Sequence, residues 1–151
     1  MMGIAAALLL ALQPLQVTAA MLLHQQPIEF VTEGVATYYT VESSGAYTAS
    51  GELLRDDELT CAMRRGEFGT YFLVVSETGA AVVCRLNDRG PYVKGRVIDL
   101  SQAAMRELHP RAGKMKVRVY RLGNPDTLGN LGEIPLLRTA SSFPRRREPF
   151  P

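Results

Sequence analysis

The sequence has 151 residues, a length that suits one compact domain with tails at its ends. Its formal net charge is +2 and 21% of its residues are charged, which argues against a nucleic-acid partner, because nucleic-acid-binding domains present a strongly basic surface. The sequence contains no tryptophan, so stacking against a sugar ring falls to tyrosine or phenylalanine.

The first thirty residues combine an apolar run with a lack of lysine and arginine. The run covers residues 4–12, too short for a bilayer but typical of the core of a secretory signal, and small residues follow at 18–20. We predict a signal peptide over residues 1–20 and a linker over 21–30, hence an exported protein, periplasmic or extracellular, without a membrane span after processing. No cysteine lies near the predicted cleavage site, so the sequence does not predict a lipid anchor. The missing basic start leaves a frayed apolar N terminus as the alternative.

Short strands separated by turn residues make up residues 31–122, which we predict to be the folded domain. Six strands are predicted over residues 34–39, 59–63, 70–75, 80–86, 96–99 and 116–120. One short helix is predicted over 102–109, with Ser101 as its N-cap. The pattern predicts a mainly β fold closed into a barrel, because closure leaves no free sheet edge.

The C-terminal segment, residues 123–151, differs in composition from the predicted domain. Proline and glycine interrupt any regular pattern, and arginines occupy positions 145–147. We predict a flexible, disordered basic tail rich in proline.

Three acidic residues follow turns or strand ends, where a side chain can be presented to a substrate. They are Glu52, after a flexible loop, Asp88, inside Asn-Asp-Arg-Gly-Pro, and Asp99, at the end of the next strand. Cleavage of a glycosidic bond needs a protonated carboxyl for the leaving oxygen and a second group for the oxocarbenium-like state. Each acid also has a structural alternative: Asp88 can brace its own turn, Asp99 can cap the helix or pair with an arginine, and Glu52 can be a surface residue.

The two cysteines are Cys61 and Cys84. Two thiols without a nearby histidine make a poor metal site, since zinc usually takes four ligands, and we predict neither a metal nor a cofactor. In an exported protein the two can pair, and closing a loop of this size stabilises by about 3 kcal/mol in the chain-entropy model. Two buried free thiols that pack as small apolar groups are the alternative.

Five segments occur in an order that is typical of one known family. The segments are Gly34-Val-Ala-Thr-Tyr-Tyr39, Thr48-Ala-Ser-Gly-Glu52, Phe68-Gly-Thr70, Val83-Cys-Arg-Leu-Asn-Asp-Arg-Gly-Pro-Tyr92 and Arg96-Val-Ile-Asp-Leu-Ser-Gln-Ala-Ala104. Together they resemble the rare lipoprotein A (RlpA) family over about residues 34–121. The resemblance implies a six-stranded double-psi β-barrel. It also implies a lytic transglycosylase that cuts between N-acetylmuramic acid and N-acetylglucosamine in peptidoglycan without water, leaving a 1,6-anhydro end.

The resemblance assigns roles to the three acids. The family's catalytic Glu matches Glu52 and its essential Asp matches Asp88, so we expect Asp88 to be the general acid/base and Glu52 a second acid or a stabiliser of positive charge. Asp99 matches the acid of the Asp-Leu-Ser motif, and related expansin barrels have an important Asp at that place. Asp99 is therefore a third catalytic candidate.

The expected substrate is a glycan strand of the cell wall, bound by a monomer. We predict that Arg89 completes a polar floor with the acids and that Tyr39 and Tyr92 flank the sugar chain.

Position 63 departs from the family pattern. Members often have Thr-Ala-Ala-His where this chain has Thr60-Cys-Ala-Met63, and Met63 cannot transfer a proton. This substitution favours the alternative of a non-catalytic, expansin-like module that binds or loosens the wall. A weaker third hypothesis is an inhibitor or adaptor protein with a vestigial cleft.

Overall fold

A computed structural model describes residues 28–124 and residue 126. The elements are β1 (Glu29–Tyr39), α1 (Val41–Ser44), β2 (Thr60–Ala62), β3 (Tyr71–Ser76), β4 (Ala81–Asp88), β5 (Arg96–Ser101), α2 (Gln102–Leu108) and β6 (Lys114–Gly123). The predicted signal peptide, most of the predicted linker and nearly all of the predicted tail lie outside the described residues. Within the described part, neither helix has the length and apolar character needed to cross a membrane.

The six strands form a closed barrel in the order β1-β5-β2-β4-β3-β6, with β6 paired back to β1. The pairs β1/β5 and β2/β4 are parallel, and the other four pairs are antiparallel. Every strand therefore has a hydrogen-bonded neighbour on both sides, which leaves no free edge for association. The predicted mainly β, six-stranded barrel is confirmed.

The elements differ from the predicted ones mainly at their ends. β1 begins five residues before the predicted strand of residues 34–39, because its first half pairs with β6 in a stretch that is largely exposed and lacks an apolar alternation. The sequence predicts a loop over residues 42–51, but Val41–Ser44 forms one helical turn. Thr40 and Ser43 make a capping box there, which satisfies backbone N–H groups of that turn. The structure thus has two helices where one is predicted.

Apolar side chains from all six strands fill the barrel interior. Along β6, buried Met115, Val117 and Val119 alternate with more exposed residues, as the period of a strand requires. Helix α2 buries Ala104, Met105 and Leu108 in the same core cluster, and Ser101 begins the helix by accepting a hydrogen bond from the Ala104 N–H at 3.2 Å.

A second, smaller apolar cluster contains Tyr39, Leu54 and Ala62. It joins the end of β1 and the last residue of β2 to the long connection between them. This small cluster forms the floor on which the candidate site is built.

Candidate active site

The end of β4 presents Asp88. Its Oδ1 accepts the backbone N–H of Ala49 at 2.9 Å and that of Arg89 at 2.8 Å. The second of these bonds is the turn-bracing contact that the sequence left as an alternative, and the first fastens the loop before Glu52 to the strand end. Among the described residues, Oδ2 of Asp88 has no hydrogen-bond partner, so this half-buried carboxyl keeps one oxygen for another group.

Glu52 lies on a hairpin-like loop over residues 46–54 that packs on β4. The loop is closed by the Thr48 N–H, which donates to the Glu52 carbonyl at 2.9 Å. The Arg85 guanidinium donates two hydrogen bonds to the Glu52 carboxylate, from Nη1 to Oε1 at 2.7 Å and from Nη2 to Oε2 at 2.8 Å. The Asn87 amide adds a third bond to Oε2 at 3.2 Å. Glu52 and Asp88 are thereby attached to the same end of β4.

The hydrogen bonds to the Glu52 carboxylate lower its pKa. The hydrogen bonds from Arg85 are the largest cause that lowers the pKa of Glu52, burial opposes them, and the Asn87 amide and the Arg85 charge lower the pKa further. Donors that stabilise the charged form of a carboxyl disfavour its proton. These contacts therefore favour the ionised form of Glu52 over its protonated form.

Asp99 lies two strands from Asp88, with β2 between them. Ala62 pairs with Asp88 on one side and with Asp99 on the other. Because neighbouring strands are about 4.8 Å apart, the two aspartate backbones are about 10 Å apart. The Thr37 hydroxyl on β1 donates to Asp99 Oδ1, so Asp99 forms a strand-to-strand hydrogen bond, and no arginine within residues 28–124 pairs with it. The barrel register thus brings all three predicted acids to one region.

The two predicted aromatic contacts differ in exposure. Tyr92 is 77% exposed and presents its ring to solvent beyond the Asn-Asp-Arg-Gly-Pro turn. Tyr39 is only 7% exposed, because its ring packs with Leu54 and Ala62 in the floor. Burial raises the pKa of the Tyr39 hydroxyl far above its usual range, and the Asp88 charge adds to this rise. Tyr39 therefore lies beneath the acids and offers a sugar little of its surface.

The buried hydroxyls of Tyr39 and Thr60 lie close to each other, and the interaction with the Thr60 hydroxyl partly offsets the rise in the Tyr39 pKa. Apart from this contact, neither hydroxyl has a hydrogen-bond partner among the described residues. These two oxygens mark the floor as a polar spot inside an otherwise apolar cluster.

Arg89 contacts the loop that follows β2 rather than an open floor. Its Nη2 donates to the Gly66 carbonyl at 2.8 Å and its Nη1 to the Met63 carbonyl at 3.5 Å. Its guanidinium also lies over the Phe68 ring, 3.8 Å from the centroid. In this structure Arg89 therefore braces residues 63–68 through two of its N–H groups; its role in substrate binding stays a prediction.

Met63 lies beside the site but points into the core. Its N–H donates to the Asp88 carbonyl at 3.3 Å, and its side chain is 6% exposed within the barrel cluster. The thioether adds no group that can exchange a proton with a substrate.

The predicted disulfide is not formed in this structure, in which Cys61 and Cys84 are free and fully buried thiols. They lie on the paired strands β2 and β4 and interact directly. Burial raises the pKa of the Cys61 thiol, and the Cys84 thiol raises it further. The thiolate is the form that attacks another sulfur, so burial of Cys61 disfavours its reactive form. Pairing in the exported protein stays a prediction.

A cavity of about 760 Å³ is lined in part by residues 63–67, which follow β2. Arginine, glutamate and apolar side chains line it, and its wall includes Glu29, Val31, Met63, Arg65, Phe72 and Arg121. None of Glu52, Asp88 and Asp99 belongs to its wall. Each of the three acids is partly exposed.

Two residues of the site were missed by the sequence reasoning. Arg85 and Asn87 donate hydrogen bonds to the Glu52 carboxylate, but the sequence indicates them only as members of a family segment. A signal did exist: Arg85 occupies an outward position of a strand whose inward positions are apolar, two residues before Asn87. Residues two apart on a strand share a face, which places both beside a carboxylate that packs on that face.

Comparison with known proteins gives this geometry a family context. A family model described as lytic transglycolase matches residues 31–119. A protein of Pasteurella multocida (strain Pm70), named endolytic peptidoglycan transglycosylase RlpA, is 32% identical over 117 residues, which are 75% of this chain and 40% of that protein. A protein of Yersinia pestis with the same name is 41% identical over 112 residues, 73% of this chain and 31% of that protein. The chain thus spans less than half the length of these relatives.

Two solved structures have a similar shape. One is the Streptomyces papain inhibitor, with a TM-score of 0.49 and 22% identity over 63% of this chain and 97% of the inhibitor. The other is the apo expansin of Clavibacter michiganensis, with a TM-score of 0.48 and 22% identity over 60% of this chain and 50% of the expansin. Neither likeness bears on function.

Proposed function

The chain belongs to the lytic transglycolase family of double-psi β-barrels, and we propose on this basis that it cleaves the glycan strands of bacterial peptidoglycan. The observation that carries the proposal is the pairing of two unlike carboxyls at one strand end. Glu52 is held as an anion by Arg85, whereas Asp88 keeps an oxygen without a partner among the described residues. Two carboxyls in different environments are what acid-assisted glycoside cleavage requires.

In the proposed reaction Asp88 is the general acid and then the general base. Its proton passes to the oxygen between N-acetylmuramic acid and N-acetylglucosamine, and the bond from that oxygen to C1 of the muramyl residue breaks. The C6 hydroxyl oxygen of the same residue bonds to C1 and returns a proton to Asp88. The products are a 1,6-anhydro muramyl end and a free hydroxyl, with no water consumed.

Glu52 stabilises the positive charge that develops at C1. A fixed carboxylate can do this without reorganising, which is the main source of such stabilisation in active sites. Asp99, with one oxygen bonded to Thr37, is the third acid of the surface and contacts a neighbouring sugar. Tyr92, exposed beyond the turn, supplies a stacking face for the chain.

One observation favours a second function, a module that binds the wall without cutting it. Met63 occupies the place next to Asp88 where the family often has histidine, and its side chain is buried in the core. A site that needs that histidine would bind glycan through the same surface and release no product.

Digestion of purified sacculi and of glycan strands stripped of peptides separates the two functions. The proposal predicts 1,6-anhydro muramyl ends by mass spectrometry with the wild-type protein, and their loss with Asp88→Asn. Asp57→Asn is the matched control, because Asp57 is an exposed acid paired with Arg55 outside the site. Strand binding without anhydro ends would overturn the enzymatic proposal in favour of the binding module.

A further inference from the structure

We propose that Arg85 is a positioning residue of this site, which holds Glu52 as an oriented anion and so leaves proton transfer to Asp88. The role in catalysis rests on the function proposed above. The contact itself, and its effect on Glu52, can be measured without any turnover.

The geometry of the contact is specific. A planar guanidinium matches a carboxylate in two parallel hydrogen bonds, and the distances of 2.7 and 2.8 Å between Arg85 and Glu52 are those of charge-assisted bonds. Asn87 donates to the same carboxylate from the same face of β4. Both oxygens of Glu52 therefore already accept a donor, and a proton on either would oppose an N–H group.

The charged groups around the pair favour the same arrangement. The bonds to Glu52 are the largest cause that raises the pKa of Arg85, and Tyr71 on β3 and Glu58 before β2 raise it further. Among the described residues, Asn87 and Arg85 are the groups that lower the pKa of Glu52. The anion is thus stabilised from one strand.

Anchoring of the loop does not depend on Arg85. The 46–54 loop is also attached to β4 by the Ser50 N–H on the Asn87 carbonyl at 3.1 Å and by the Ala49 N–H on Asp88 at 2.9 Å. The side chains of Arg85 and Glu52 are 26% and 41% exposed, and partly exposed ion pairs contribute little to stability. Fixing the orientation and charge of Glu52 is what this contact adds.

The test substitutes Arg85 and measures the pKa of the Glu52 carboxyl. Carbon-13 NMR of the full chain titrates the Glu52 side chain in the wild type, in Arg85→Lys and in Arg85→Met. We expect the Glu52 midpoint to rise toward its ordinary value in Arg85→Met and by less in Arg85→Lys, which keeps the charge but not the two-pronged contact. Arg118→Met, which removes an arginine paired with Glu33, should leave the Glu52 midpoint unchanged.

Cleavage provides the second measurement. If Arg85 positions Glu52, then Arg85→Met lowers kcat by about 100-fold with a smaller effect on KM, because a misplaced catalytic group slows the reaction more than it weakens binding. The acid limb of the pH profile moves with the Glu52 midpoint.

The outcomes separate this inference from the proposed function. An unchanged Glu52 midpoint in a folded Arg85→Met overturns the inference, even if the wild type cleaves glycan. A wild type that never cleaves overturns the proposed function, while the titration still decides whether Arg85 holds Glu52 ionised. If Arg85→Met does not fold, Arg85→Lys gives the same decision: it must raise the midpoint or the inference fails.

Discussion

At the scale of single residues, the two carboxyls at the end of β4 differ in what their neighbours leave free. Glu52 uses both oxygens on donors from Arg85 and Asn87, whereas Asp88 uses only Oδ1 among the described residues. When two nearby acids lie in different environments, one can carry a proton while the other is ionised. Substitution of each acid should therefore have a distinct consequence.

Replacing Asp88 by asparagine should remove glycan cleavage while the fold is kept. The Asn carbonyl oxygen can still accept the N–H groups of Ala49 and Arg89, so the turn keeps its hydrogen bonds. The lost proton transfer should cost about 100- to 10,000-fold in rate. Glycan binding, measured by co-sedimentation with sacculi, should survive. Cleavage at the wild-type rate would mean that the acid lies elsewhere, and Asp99→Asn would be the next variant.

Stability should depend on pH through Glu52. Its pKa is lowered in the folded protein by Arg85, so the carboxylate adds stability above its ordinary pKa and that stability is lost as pH falls through the lowered value. Between pH 5 and pH 3, the wild type should lose more free energy of unfolding than Glu52→Gln does. Because the pair is partly exposed, the difference should be no more than about 1 kcal/mol. Urea titrations at each pH measure it, and parallel losses in both proteins would contradict the prediction.

At the scale of elements, two contacts join segments that are distant in sequence. Arg89 attaches the turn after β4 to the loop after β2, and Cys61 and Cys84 lie together on the strands β2 and β4 themselves. Each contact ties a short element to a longer one. Short strands have few hydrogen bonds of their own, so such ties decide how firmly the loops beside the acids are held.

Arg89→Met should loosen the loop over residues 63–68 without unfolding the barrel. It removes the donor to the Gly66 carbonyl and the contact with the Phe68 ring, a loss of about 1–2 kcal/mol. Amide hydrogen exchange should accelerate in that loop and stay unchanged in β6. Arg65→Met, a neighbouring arginine without a described contact of this kind, is the control. Equal protection in both variants would show that the loop is held by other contacts.

Cys61 and Cys84 should form a disulfide when the protein is recovered from an oxidising compartment. The two thiols already interact in the barrel core, and the bond should add about 3 kcal/mol to the free energy of unfolding in the chain-entropy model. Thiol titration in denaturant without reductant counts the free groups. Two free thiols in protein from the periplasm or medium would contradict the prediction, and Cys84→Ala provides the single-thiol control.

At the scale of the whole molecule, the barrel ends with a contact just beyond β6. The side-chain oxygen of Asn124 accepts the hydroxyl hydrogen of Thr70, which is 1% exposed, at 2.8 Å. The side chain of Asn124 also donates to Glu67 at 3.4 Å. The folded unit thus includes Gly123 and Asn124, the first two residues of the segment predicted as a tail.

A chain that ends at Asn124 should therefore keep the melting temperature of the full protein within a few degrees, because the later residues lack a periodic apolar pattern. A chain that ends at Gly123 leaves the buried Thr70 hydroxyl without this partner and should lose about 1–2 kcal/mol. Calorimetry of the two chains checks both statements. A loss of cooperative unfolding in the longer one would show that residues beyond 124 pack on the barrel.

The strands, the order of the motifs and the identity of the acids could be predicted from the amino-acid sequence alone. Alternating polarity in β6, turn residues after β4 and the Ser101 cap are local properties, which a short window of residues records. The six strands and the mainly β barrel follow from them. The start of β1 and the turn of helix α1 were not predicted, since pairing with β6 and a two-residue capping box decide these.

The way each acid is held depends on contacts that form only in the folded barrel. Glu52 meets Arg85 across 33 positions, Asp88 meets Ala49 across 39, and Thr37 meets Asp99 across 62. Such contacts depend on strand order and register, and a shift of one residue would turn each side chain to the other face of the sheet. The same dependence buries Tyr39 and directs Arg89 toward the Gly66 carbonyl. The residue types of the site can thus be read from the chain. The protonation of each acid, and the side-chain atoms that are free to contact a substrate, depend on the closed barrel.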